Sequence, residues 1–145
     1  RSPSRGLGDV YKRQAKYATP GVNIGLFCST PMVPLSRTVG KKQAMEMLLT
    51  GDLIDANKAL RIGLINDVFE EDSLKENVFQ IAKKISSKSS NTIKIGKEAF
   101  YKQKDMNLED AYTFTSKVMT ENMLHDDSKE GIDAFLEKRE PNWKE

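Results

Sequence analysis

The stretch ATPGVNIGLFCSTP, residues 18–31, has the make-up of an active-site rim, with a proline, closely spaced glycines and one thiol among apolar residues. Its chemical equipment is thin. Gly21 supplies no acid, base or nucleophile, and neither Thr19 nor Asn23 titrates in a useful range. Cys28 needs a nearby base to become a nucleophile, and the one histidine, His125, lies far along the chain, so the thiol reads as buried and inert. "HDD" at 125–127 sets two carboxylates beside that histidine without metal-ligand spacing, and Asp127 is better explained as a helix N-cap. No metal is expected. Lys94, Lys97, Lys102 and Lys104 form a run of positive charge, but the i, i+3 spacing of the first two is ordinary for a solvated helix face.

Composition narrows the partners. The 145 residues suit one modest domain, 38% hydrophobic and 30% charged. No apolar run approaches the ~18 residues that a membrane span requires, so a soluble, globular chain is expected. A single cysteine cannot close an internal disulfide, which points to a reducing compartment. The net charge of +2 comes from the head, RSPSRGLGDVYKRQ, where Arg1, Arg5, Lys12 and Arg13 stand against Asp9 alone. Without that head the chain is near neutral, and a nucleic-acid partner loses its support. Residues 1–14 read as a non-native, adapter-like and disordered segment. A transit peptide is the competing reading, though the segment has no amphipathic apolar face.

The elements that would position a site are mostly helical. Ala44, Met47 and Leu48 recur at i, i+3, i+4, and Gly51 is placed to stop that helix. After the short extended "DLI", Asp55 caps "ANKALRI", Gly63 ends it, and "LINDVF" reads as a strand. "SLKE", Ser73 to Glu76, is a capping box before a helix that carries Leu74, Val78, Ile81, Ala82 and Ile85. "KSSN" at 88–91 breaks it. A further helix carries Ile93, Gly96, Lys97 and Phe100, and another begins near Asn107 with Leu108, Ala111, Tyr112, Val118 and Met119. In the last, Asp127 and Glu130 stand at N-cap and N3, Ile132, Phe135 and Leu136 form the apolar face, and Pro141 enforces the end. So many helix faces exceed what the few strands can cover, and they are expected to pack on something beyond this chain. Trp143 reads equally as a dock against a neighbour or as an exposed tail residue.

TVGKKQAMEMLLTGDLIDANKALRIGLINDVF resembles a stretch of the crotonase (enoyl-CoA hydratase/isomerase) superfamily, which runs through A-x-E-M-x-x-T-G-x-x-I-x-A-x-x-A to G-L-I. EGIDAFLEKREPNW resembles the closing helix of the same family, and the likeness extends over residues 15–145. The resemblance implies an α/β crotonase (ClpP/crotonase-like) fold, of which this chain is a C-terminal piece, mostly α-helical with a few short strands. Residues 15–70 would end the spiral core and start the helices, and 71–145 would form a helical region that builds homotrimers or hexamers. It also implies a mitochondrial setting and no cofactor beyond a coenzyme A thioester, acyl-CoA or enoyl-CoA, as substrate or ligand. The family's oxyanion hole, two N–H groups that stabilise the enolate, would lie upstream of residue 15.

The same resemblance assigns roles residue by residue. Family hydratases place a glutamate after the proline that matches Pro20, and Gly21 stands there instead, so no catalytic residue is assigned within this chain. "STPMVPL" is one residue short of the family's Gly-rich turn, with Met32 and Val33 where small residues are common. Lys138 matches a lysine set near the CoA phosphates. As a bare residue it reads rather as a solvated lysine at a helix end, favoured by the dipole. Met119 matches a position that covers adenine, and by helical spacing alone it is core. Three functions stay open: an acyl-CoA binder without standard hydratase chemistry, a hydratase/isomerase active as the full-length chain, and an oligomerisation module.

Overall fold

The computed structural model describes residues 10–12 and 14–143 of the chain. Short strands alternate with helices and then give way to helices alone: β1 Val10–Lys12, β2 Lys16–Tyr17, a 3-10 turn Pro20–Ile24, α1 Ser29–Thr38, α2 Lys41–Thr50, β3 Ile54–Asp55, α3 Ala56–Arg61, β4 Asp67–Phe69, α4 Glu71–Ser86, α5 Ser90–Gln103, α6 Leu108–Met123 and α7 Asp126–Glu137. One compact unit ends at Gln80 and a second begins at Ile81, so the division falls inside α4.

The first unit is held by the residues that carry the family signature. Ala44, Met47 and Leu48 turn inward along α2, and Gly51 closes it in the left-handed conformation, φ 64°. A side chain at Gly51 would be strained by that φ and would also meet the Asn23 amide. Ile54, Ala56 and Ala59 join the same core, the two alanines fully buried so that α3 lies close against its neighbours. Glu46, on the outer face of α2, reaches Nζ of Lys58 at 2.7 Å.

Asp55 does what its position promised: its carboxylate accepts the Lys58 N–H at 2.7 Å and starts α3. Asp55→Ala is therefore expected to cost about 1 kcal/mol, read as faster hydrogen exchange at the Lys58 amide and a small drop in the urea midpoint. Unchanged exchange at that amide would mean that the cap contributes nothing.

Two two-stranded sheets complete the unit. β2 pairs antiparallel with β3, Tyr17 opposite Ile54, and β1 pairs parallel with β4, Val10 opposite Asp67 and Lys12 opposite Phe69. The second pairing corrects the expectation of a disordered head through residue 14. Over residues 10–12 the backbone is in a strand, because main-chain pairing to β4 asks only for extended backbone and places little demand on side-chain type. Residues 1–9 lie outside the described residues.

In the second unit the helix starts are set by Ser89, Asn107 and His125. Ser89 Oγ accepts from Thr92 N–H at 3.0 Å, and Asn107 Oδ1 accepts from Asp110 N–H at 3.0 Å. Three starts and stops differ from the sequence reading. α4 begins at Glu71, and the Ser73 hydroxyl donates to the Glu70 carbonyl at 3.3 Å instead of capping a later start, since Glu71 and Asp72 already place acid in the first turn. α7 begins at Asp126, capped by Nδ1 of His125, which accepts the Asp127 N–H at 3.3 Å. Asp127 is one residue inside the helix, buried, and accepts a hydrogen bond from Ser89. α7 ends at Glu137, before Pro141, because Lys138 adopts the left-handed conformation.

The apolar faces read from the sequence lie outward. Val78, Ile81 and Ile85 of α4, Phe100 of α5 and Tyr112 of α6 are exposed, as are Ile132, Phe135 and Leu136 of α7. α7 instead buries Asp127 and Ala134, its small and polar side.

Candidate functional site

The loop that begins at Thr19 is anchored to the core before it reaches Gly21. The buried Thr19 hydroxyl donates to the Met47 carbonyl at 2.8 Å, the same oxygen that accepts from Gly51 N–H at 3.0 Å. Pro20 then starts the 3-10 turn, where its missing N–H costs nothing, and Gly25, φ 78°, ends it. From there the chain folds back. Leu26 N–H donates to the Gly21 carbonyl at 2.9 Å, and Gly21 N–H donates to Sγ of Cys28 at 3.3 Å.

This closure leaves no room at position 21. A Cβ there would stand 2.4 Å from the Leu26 carbonyl oxygen and 2.8 Å from Cys28 Sγ, distances that no carbon tolerates. Close approach requires glycine here, since the φ of Gly21 is not in the left-handed range. Cys28 is half-buried and acts as an acceptor within the loop. The "STPMVPL" segment forms a helix, α1, rather than a turn, with Pro34 inside it and Thr38 Oγ1 donating to the Pro34 carbonyl at 2.8 Å. Met32 packs against the core and Val33 is exposed.

Lys138 and Met119 both lie in the second unit. Met119 is 61% exposed on α6, so the expectation of a core methionine does not hold within this chain. Lys138 is exposed at the end of α7 with φ 54° and ψ 41°, the one non-glycine residue of positive φ among those described. No hydrogen bond or ion pair joins the two.

The remaining candidates are taken up by structure. His125 and Asp127 serve the start of α7, and no three metal-ligating side chains converge among the described residues. An open hollow of about 320 Å³ at the α6–α7 turn is lined by His125, Asp126, Lys129 and Asp133 with apolar neighbours. Lys102 places its Nζ 4.9 Å from the Phe114 ring centre. Trp143, left undecided by the sequence, docks on its own unit: its indole N–H donates to the Ser87 carbonyl at 2.9 Å, and a Cβ on Gly131 would meet its ring at 3.3 Å. Sequence alone had no signal for that contact beyond the glycine inside a helix.

Residues 9–145 match the family described as enoyl-CoA hydratase/isomerase. Enoyl-CoA hydratase domain-containing protein 3, mitochondrial, from Mus musculus is 50% identical over 134 residues, 92% of this chain and 45% of that protein. Among solved structures, an enoyl-CoA hydratase from Mycobacterium smegmatis superposes with a TM-score of 0.89 at 42% identity, covering 92% of this chain and 52% of the other. Human enoyl coenzyme A hydratase domain-containing protein 3 gives 0.88 at 48%, covering 92% and 53%. The chain belongs to the enoyl-CoA hydratase/isomerase family and has its crotonase fold. It spans about half the length of the curated relatives it matches.

Proposed function

We propose that the full-length protein binds acyl-CoA in mitochondrial fatty-acid metabolism and lacks standard hydratase chemistry, and that this chain is its C-terminal half. One observation carries the reading. Gly21, which by the resemblance stands where family hydratases hold their second glutamate, has its Cβ direction filled by the Leu26 carbonyl and the Cys28 thiol. Acid–base work by a placed side chain is worth roughly 10²–10⁴-fold in rate, and residues 18–31 hold no carboxylate or histidine to replace it. The mitochondrial setting rests on the names of the relatives, several of which carry that word.

Binding need not share this loss. Lys138 supplies an exposed ammonium for phosphate and Met119 an exposed, adaptable apolar surface for adenine. The outward faces of α4, α5, α6 and α7 fit a chain that is completed by its own N-terminal half and by further copies, as a trimer or hexamer.

The test is crotonyl-CoA hydration by the full-length protein, with CoA and crotonyl-CoA binding followed by calorimetry. Saturable binding is expected, with turnover about 10²–10⁴-fold below a family member that has both glutamates. Turnover at the level of such a member would overturn the reading.

A further inference from the structure

We propose that the segment Arg139–Trp143 is a clamp that holds Lys138 in the left-handed conformation, and that this preset backbone is what makes its ammonium a phosphate contact. Glu130, Arg139 and Trp143 are then positioning residues. The inference rests on the reading that the full-length protein binds CoA thioesters.

A residue with a Cβ is disfavoured at φ 54°, ψ 41°, because the Cβ crowds the following carbonyl, and helices that end this way ordinarily do so with glycine. Glycine at 138 would satisfy the backbone with less strain. What lysine adds is a charge on a flexible stem, and its Nζ makes no ion pair among the described residues. A strained residue persists only where its surroundings hold it.

Here both sides are held. On the helix side Lys138 N–H donates to the Phe135 carbonyl and Arg139 N–H to the Ala134 carbonyl, at 3.3 and 3.0 Å. Beyond it, the Arg139 guanidinium grips Glu130 with two bonds, 2.6 Å to Oε1 and 3.1 Å to Oε2, and Glu137 with a third at 2.6 Å. The hydrogen bond to Glu130, then that to Glu137, pushes the guanidinium's proton affinity still further above its ordinary value, so it keeps its charge. Asn142 N–H adds 2.7 Å to Glu130 Oε1, and the Trp143 indole closes the segment on Ser87 and over Gly131. Isolated surface ion pairs hold little, but a two-pronged arginine grip on a carboxylate that also accepts a backbone N–H is a network. Two residues that follow Lys138, Arg139 and Asn142, converge on Glu130, and neither needs the Lys138 side chain.

The test uses the full-length protein, with CoA and 3′-dephospho-CoA as probes, titrated at low and raised salt. Lys138→Gly is expected to weaken CoA binding about tenfold, the worth of one charge-assisted phosphate contact, and to raise Tm by about 2 °C as strain is relieved. Glu130→Gln and, independently, Arg139→Lys are expected to weaken CoA binding several-fold in the parent and to have no further effect on it in the Lys138→Gly background. A merely structural role for the clamp would give the same loss in both backgrounds, and that result would overturn the proposal. So would an unchanged affinity in Glu130→Gln and Arg139→Lys beside a weakened Lys138→Gly, which would keep Lys138 as a contact without the clamp. An unchanged affinity in Lys138→Gly removes the contact and the clamp together, while CoA binding by the parent preserves the functional reading. If the parent binds neither probe, that reading and the proposal both fail.

Discussion

Gly21→Glu in the full-length protein is expected to leave crotonyl-CoA hydration where it was and to lower stability by about 1–3 kcal/mol. The absent carboxylate alone would predict the opposite, since restoring an acid to an intact pocket returns what was lost. The difference lies in what surrounds Gly21. Its Cβ would enter the Leu26 carbonyl oxygen, a backbone atom fixed by the Leu26 N–H bond back to the Gly21 carbonyl, and it would enter Cys28 Sγ as well. Cys28→Gly relieves only the second contact. Thr19 is anchored to Met47 just before the loop, so the turn has no slack on that side.

Gly21→Ala is the control, because it adds the collision without the acid. Equal losses of stability in the two variants, read from urea midpoints, with no gain in rate for Gly21→Glu, are the expected result. A gain of about 10²–10⁴-fold in Gly21→Glu would show that the loop opens to admit the side chain, overturning the steric account while supporting the missing acid as the cause of slow turnover. An unchanged midpoint in Gly21→Ala would also overturn the steric account.

What the sequence made legible was packing. The residues through which the chain resembles its family, Ala44, Met47, Gly51, Ile54, Ala56 and Ala59, are core or turn residues, and helical periodicity exposes such residues directly. The same applies to Asp55 and to the helix start near Asn107, whose short polar side chains serve a backbone N–H three residues on, whereas the break at "KSSN" hid the cap that Ser89 gives α5. The candidate site was legible only in part. Sequence can report that position 21 has no carboxylate, but the carbonyl that excludes one belongs to Leu26, whose side chain has no bearing on the matter. α1 was hidden by Pro31 and Pro34, which read as turn residues, although the first lies in the opening turn where its missing N–H is harmless. The end of α7 was hidden for the opposite reason. Its left-handed residue is a lysine, so the usual glycine signal is missing and Pro141 drew the boundary instead. Both misreadings fall where local rules are broken, and in the second case the break coincides with a candidate binding residue.

The second large effect is expected from Ser89→Ala, about 2–4 kcal/mol, because one hydroxyl serves two helices. Its oxygen accepts from Thr92 N–H and starts α5, while its proton goes to the buried carboxylate of Asp127 in the first turn of α7. Losing the cap is worth roughly 0.5–2 kcal/mol, and leaving a buried carboxylate short of a donor costs about 1–3 kcal/mol more, offset in part by the helix N-terminus on which Asp127 sits. The two parts separate in a double-mutant cycle. With Asp127→Ala already in place, Ser89→Ala should cost only the cap, and the coupling between the two positions should lie in the range of about 0.5–3 kcal/mol. Hydrogen exchange at the Thr92 amide should accelerate equally in both backgrounds, because it reports the cap alone, while urea unfolding reports the sum. Equal unfolding costs for Ser89→Ala with and without Asp127 would show that the hydroxyl acts only on α5 and that the link between the two helix starts, residues 38 apart in sequence, contributes nothing.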